Sequence, residues 1–433
     1  MSRIVFRNAN VVDGVNPVRP RSTVVVEGDR IALVSNEGSA AGASIDPATR
    51  EIDLRGRTLM PGLVSCHFHT TFHDLVPGEA PALQILHPPA TYTILAQRNL
   101  GIALEAGVTS IVCSSTFESI DSSLKNAIDQ AWIAGPRMLC GSHELMATAD
   151  IASGASRNYW LELGNCGLVR TTDGASGFRK IVREEIKQGA EVIKLSMSSG
   201  HNAGPTEERS CLTKEELAAA VAAAHDRGAL VRAHTASKRS ILDCAQAGVD
   251  IIDHADRMDE ECIEAVLKSG STVVPSLFYM MRVLEFMDSG ALDGKIPAGA
   301  STMFQRTLAS MREDSAQLRS FLPEVDAAGV KLVCGDDFGT VFLQHGEYAS
   351  ELVFYVKEVG IPPKDVLRWA TRNGADLFAN GDEFGAVEEG KLADLLVVDG
   401  DPLSDIACLE DATKLHAVLK GGVFESERTA LSA

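Results

Sequence analysis

Two histidines one residue apart, His67-Phe68-His69, close the apolar run Leu59-Met60-Pro61-Gly62-Leu63-Val64. On a β-strand, residues i and i+2 share a face, so both imidazoles can turn toward one metal ion. Alone the pair is weak evidence, because strand histidines more often serve packing. Further metal-compatible side chains recur on later apolar runs. Lys194 lies in Glu191-Val192-Ile193-Lys194-Leu195-Ser196, His234 closes Ala229-Leu230-Val231-Arg232-Ala233-His234, and His254 closes Val249-Asp250-Ile251-Ile252-Asp253-His254. Asp336 follows Lys331-Leu332-Val333-Cys334-Gly335, and beside Asp337 it has the bland alternative of a loop carboxylate pair. A lysine inside an apolar strand is costly to bury as an unpaired ammonium. Taken together, these residues point to a metal site.

The elements that would position them follow from hydrophobic patterning. Residues 3–57 read as short strands (Ile4-Val5-Phe6, Val11-Val12, Thr23 to Glu27, Ile31 to Val34), with Gly28-Asp29-Arg30 as a turn. The C-terminal stretch has the same character, with Leu395 to Val398 and Ala417-Val418-Leu419 beside glycines. One small β-sandwich domain formed from both termini, 1–57 with 385–433, is expected. The middle, 58–384, alternates apolar strands with helices, the pattern of a parallel sheet. Strands are expected to end near His67, Cys113, Leu139, Ser196, His234, His254, Ser276 and Gly335. Thr213 to Arg227 reads as a helix opened by a Thr-Lys-Glu-Glu capping signal and continued in alanines. The fold class is α/β, a (β/α)8 TIM barrel, in which functional residues sit at the C-terminal ends of strands.

The chain has 433 residues, 45% hydrophobic and 23% charged, as in an ordinary soluble protein. A net charge of −19 argues against nucleic acid and anionic membranes as partners. The start, MSRIVFRNANVVDG, shows no charged segment followed by an apolar core, and no run approaches the roughly 18 apolar residues of a membrane span. Nine cysteines without metal-type spacing suggest reduced thiols and a cytoplasmic protein. Strand alternation turns Cys66 away from the face of His67, toward packing.

These residues resemble the metal-dependent amidohydrolase superfamily over nearly the whole chain, in its binuclear form with a carboxylated lysine. Pro61-Gly62-Leu63 before the histidine pair carries the resemblance, with His234 followed by Ala247-Gly248-Val249-Asp250 and His254, Gly335-Asp336 with His345-Gly346, and Gly385 with Gly390-Lys391-Leu392-Ala393-Asp394-Leu395. Ile193-Lys194 and Ser199-Gly200 are most similar to the prolidase-like and imidazolonepropionase-like branch. The resemblance implies two divalent metals, with zinc favoured by imidazole ligands. His67, His69 and Asp336 would hold one, His234 and His254 the other, and a CO2-derived carbamate on Lys194 would bridge them. Asp336 and His254 would be catalytic, Asp336 taking a proton from a metal-bridging hydroxide and passing it to the leaving nitrogen. Symmetric homo-oligomers are common in this branch. Two departures stand out: Ser65 replaces the usual acidic residue before the pair, and His201 is an unusual imidazole in the loop after the fourth strand.

The expected activity is hydrolysis of amide-type C–N bonds in a small molecule: a dipeptide, an N-acyl amino acid, or an aryl amide or urea. Lactone or phosphoester hydrolysis on the same metals is the alternative. Deamination is less favoured, since Ser237 stands where deaminases of the superfamily place a glutamate, and a non-catalytic scaffold would have lost ligands. Expected substrate contacts are His143, His201, Tyr279 and His345, with Phe72, His73, Val341 and Phe342 as further loop residues and Arg157 as a carboxylate partner.

Overall fold

The computed structural model describes residues 3–35, 49–75, 86–148, 167–198, 210–291 and 301–427, with side chains from 305 onward in the last segment. Strands from the two ends of the chain form a single sheet. Arg3–Val11, Arg19–Glu27 and Arg30–Ser35 run antiparallel, and Thr49–Asp53 pairs in parallel with the first of them. Thr58–Pro61 joins Arg3–Val11 to Leu395–Val398, and Leu415–Lys420 and Val423–Glu427 complete the sheet.

The strand Leu395–Val398 is buried on both faces, and the period-2 alternation divides its side chains between two cores. Leu395 and Val397 pack with Ile4, Phe6, Val24 and Val26, whereas Leu396 and Val398 join the large barrel core. The terminal sheet is therefore fused to the barrel rather than tethered to it.

The barrel is built from parallel strands. Leu63–Phe68 pairs with Val108–Cys113, and a bridge between Ser115 and Ser142 leads to Gly141–Met146. Val192–Ser196, Leu230–Thr235, Ile251–His254 and Thr272–Val274 follow in order. The eighth position is short: Leu332 bridges Val273, and Cys66 N–H donates to Cys334 C=O at 2.8 Å, closing the ring on the first strand. The third strand departs from expectation, because it does not stop at Leu139. Arg137–Leu139 pairs with the second strand, and the chain resumes after Cys140 as Gly141–Met146. Gly141 permits this, since a Cβ there would lie 2.3 Å from Ser114 O.

The helix Lys214–His225 begins as its sequence predicts. Thr213 and Glu216 form a reciprocal capping box, with Thr213 N–H donating to Glu216 at 2.8 Å. Cys66 packs with Val64, Val112 and Val192, away from the His67 ring as alternation requires, and the described cysteines are all free thiols. No described helix is long and apolar enough to cross a membrane.

Candidate metal centre

The first barrel strand delivers His67 and His69 buried and side by side, with ring centroids 5.3 Å apart. Each ring is held from behind through Nδ1. His67 Nδ1 lies 3.1 Å from Ser276 Oγ, and His69 Nδ1 lies 3.3 Å from Ser115 O. The opposite nitrogens converge on one carboxylate oxygen: Asp337 Oδ1 is 2.9 Å from His67 Nε2 and 3.1 Å from His69 Nε2. Burial pushes the His67 imidazole down to about 4, so it is neutral at pH 7. Burial alone would raise Asp337, but His67 and His69 beside it hold its carboxyl well below the usual range.

His254 completes the cluster. A donor atom from each of His67, His254 and Asp337 lies within 4.8 Å of the others. The sixth strand ends by turning left-handed, with His254 at φ 72° and Ala255 at φ 56°. Such a conformation costs a non-glycine residue roughly 1–2 kcal/mol, and it sits here at the strand end that carries the His254 imidazole into the cluster. His234 packs edge-on against His254 with centroids 4.3 Å apart.

The aspartate assignment shifts by one residue. Asp336, expected as ligand and base, is fully buried, but its carboxylate is occupied on the other side of the chain. Oδ2 accepts from Tyr279 N–H at 2.8 Å, and Oδ1 accepts from Asp337 N–H at 3.1 Å. Burial, with the charges of Glu351 and Asp337 nearby, raises its carboxyl well above the usual range. Of the adjacent pair, Asp337 is the one whose carboxylate meets the histidines. The backbone of Gly335 lies so close to the first strand that a Cβ would be 2.2 Å from His67 N.

Lys194 is buried, with Nζ 2.6 Å from Asp253 Oδ2. Arg232 grips the same carboxylate, Nη2 to Oδ1 at 2.6 Å and Nε to Oδ2 at 3.1 Å, while Nη1 donates to Cys66 O and Cys113 O. Burial opposes ionisation of Asp253, yet Arg232 and then Lys194 hold its carboxyl well below the usual range. Sequence reasoning missed Arg232 and Asp253. A signal was present: Arg232 stands two residues before His234, and alternation puts it on the same face as that histidine.

The expected substrate contacts fare unevenly. His345 has both ring nitrogens engaged, Nδ1 at 2.8 Å from Tyr348 Oη and Nε2 at 3.1 Å from Phe72 O, and burial pushes it down to about 3. It supports Phe72, whose ring stacks on His69 at 3.9 Å. His143 is tied through Nδ1 to Glu185 at 2.9 Å, and Glu185 also binds Arg170. Tyr279 is buried on the helix Leu277–Asp288, its ring against Phe342 and its N–H on Asp336. Among the described residues, none of these three belongs to the group whose donor atoms gather at His67, His254 and Asp337. His73 lies beside Arg98 and Asp74. His201 and Arg157 fall outside the described residues. Ser65 is buried, and its hydroxyl has no partner among the described residues.

The donor set fits a divalent metal. A proton at Nδ1 of each ring, where Ser276 Oγ and Ser115 O can accept, would leave both Nε2 lone pairs for a cation held beside the Asp337 carboxylate. A sequence model of the Amidohydrolase family matches residues 58–424. The chain belongs to the amidohydrolase family. Membership makes it an amide-hydrolysing enzyme, and amidohydrolases generally use divalent metals. Among curated relatives, it is 24% identical to ochratoxinase of Aspergillus niger, across 97% of this chain and 85% of that enzyme. It is also 24% identical to imidazolonepropionase of Acidiphilium cryptum, across 96% and 98%. Among solved structures, a Xaa-Pro dipeptidase with bound methionine superposes with a TM-score of 0.84 at 26% identity, covering 99% of this amidohydrolase and 100% of that chain. A prolidase complexed with N-methylphosphonate-L-proline gives 0.84 at 27% identity, with 98% and 100% covered.

Proposed function

We propose that this amidohydrolase cleaves C–N bonds of dipeptides, N-acyl amino acids, or aryl amides and ureas. The observation that carries the reading is the convergence of His67 Nε2 and His69 Nε2 on Asp337 at the end of the first barrel strand. Likeness to prolidases over nearly the whole chain, and to ochratoxinase, supports the substrate class.

His67, His69 and Asp337 would hold one ion, His234 and His254 a second, and Lys194 the position between them. Zinc suits this imidazole-rich set. When bound, such ions supply a nucleophilic water oxygen at neutral pH and polarise the scissile carbonyl. Asp337, held ionised, takes the proton released at its carboxylate and passes it to the leaving nitrogen. It therefore replaces Asp336 as general base and acid. His254, adjacent to both His67 and His234, ties the two ligand groups together.

Lys194 as an ammonium bound to Asp253 cannot ligate. Loss of its proton and addition of the neutral amine to CO2 would give an anionic carbamate there, with the displaced proton released to solvent. We further take 1–57 with 385–433 as the terminal β-sandwich domain and 58–384 as the barrel. A cytoplasmic homo-oligomer is the working description.

The test is metal analysis with a substrate panel: dipeptides, N-acyl amino acids, phenylureas, lactones and a phosphotriester. About two metals per chain and fastest turnover of an amide or urea are expected. Faster turnover of the esters than of every amide would overturn the choice of bond.

A further inference from the structure

We infer that Ser276 is a positioning residue that fixes the tautomer and orientation of His67 for metal binding, and that Asp336 frees it for that task. The inference rests on the metal reading of His67 above.

Ser276 follows the seventh barrel strand and occupies the N-cap position of the helix Leu277–Asp288. A serine at that position ordinarily accepts a hydrogen bond from the N–H of N2 or N3 of its own helix. Here the hydroxyl makes no such bond, and the backbone is left-handed at φ 46°. The capping oxygen is imported from the eighth strand: Asp336 Oδ2 accepts the N3 N–H, that of Tyr279, at 2.8 Å. Ser276 Oγ is thereby released to a buried position between two other groups, Gly335 O at 3.3 Å and His67 Nδ1 at 3.1 Å.

The direction of these bonds has a chemical consequence. A hydroxyl carries one proton and the Gly335 carbonyl can only accept, so Ser276 donates there and accepts from His67 Nδ1–H. The Nε2 lone pair then faces Asp337, as a ligand requires. Partners that hold the far nitrogen of a ligating histidine fix its tautomer and raise its basicity, and their loss typically weakens metal binding by about 10- to 100-fold. Ser65, on the same strand as His67, has its hydroxyl unpartnered among the described residues, so the orienting oxygen reaches this ring from across the barrel. Ser276 makes this contact from a left-handed backbone, uncommon for a non-glycine residue.

The test compares full-length wild type with Ser276→Ala and Ser276→Gly. Zinc affinity is measured by competition with a chromophoric chelator, and the Co(II)-loaded proteins are compared by their visible ligand-field spectra. Thermal unfolding of the metal-free proteins serves as the folding control. Both variants should bind zinc about 10- to 100-fold more weakly and show altered cobalt spectra while still unfolding cooperatively. Glycine relieves the backbone strain, so wild-type affinity in Ser276→Gly would overturn a role for the hydroxyl. Wild-type affinity in both variants would overturn it equally. A wild-type protein that binds no zinc, under conditions where Asp337→Asn also binds none, would instead defeat the metal reading.

Discussion

The two sides of the centre are prepared to different degrees. On one side, His67 and His69 have their far nitrogens hydrogen-bonded and their near nitrogens on Asp337, so the ligand geometry exists before any ion arrives. On the other, Lys194 Nζ is held on Asp253, whose carboxylate is also gripped by the buried guanidinium of Arg232. The first side needs only an ion. On the proposed reading, the second also needs Lys194 to leave Asp253 and take up CO2. Loading is therefore expected to be sequential, with the histidine-aspartate side filling first.

The largest test of that difference is at the adjacent aspartates. Asp337→Asn should lower kcat/KM by about three orders of magnitude, the scale of losing a general base. Asp336→Asn keeps one of two acceptor oxygens for the Tyr279 and Asp337 amides and should cost less than about tenfold. Steady-state kinetics on the preferred amide decides, and equal losses would erase the distinction between the two residues.

Next is the network under Lys194. Asp253→Asn leaves Arg232 buried beside a neutral amide, and breaking such a pair costs about 3–5 kcal/mol. Denaturant unfolding of the metal-free variant should show a drop of that order. A change below about 1 kcal/mol would mean that the Arg232–Asp253 pair is not the anchor of the second side.

Lys194→Ala sharpens the contrast at lower cost. Metal analysis should fall from about two ions per chain to about one, retained by His67, His69 and Asp337. Bicarbonate should increase metal uptake by the wild type and leave the variant unchanged. Loss of both ions in Lys194→Ala would show the two sides to be interdependent.

The smallest effect is on the pH dependence of the metal-free fold. His345 is held down to about 3 and His67 to about 4, both by burial, against an unfolded value of 6.5. Above that value neither state carries the proton, so there is no penalty. As pH falls below 6.5 the unfolded chain binds protons that the folded chain refuses, and stability is lost. Each histidine contributes a slope of at most about 1.4 kcal/mol per pH unit, down to its folded value. Urea midpoints between pH 6.5 and 4 should fall more gently in His345→Gln than in wild type. An unchanged slope would show that His345 does not remain neutral in the fold.

Much of this was legible without coordinates. The i, i+2 histidines, the strand-end His234 and His254, and the strand-helix alternation depend on short-range periodicity, which survives in sequence. So did the capping box at Thr213 and the gathering of both chain ends into β-structure. Family resemblance added the remaining ligand types. It named Asp336 rather than Asp337, although an apolar run that stops before two adjacent carboxylates fits either.

That choice, and most of what surrounds the ligands, was decided only in three dimensions. Asp337 meets His67 and His69 where the eighth strand lies against the first at Gly335, a contact between distant parts of the chain. Ser276 reaches His67 across 209 residues of sequence, and His345 reaches Phe72 across 273. His345 was expected at the substrate, yet its Nε2 is taken by the carbonyl of Phe72, which backs His69, and its Nδ1 by Tyr348. Side-chain type and alternation are local properties and can be read along a strand. The hydrogen-bond partner that commits a polar group to one role is brought by barrel closure, and no local pattern encodes it.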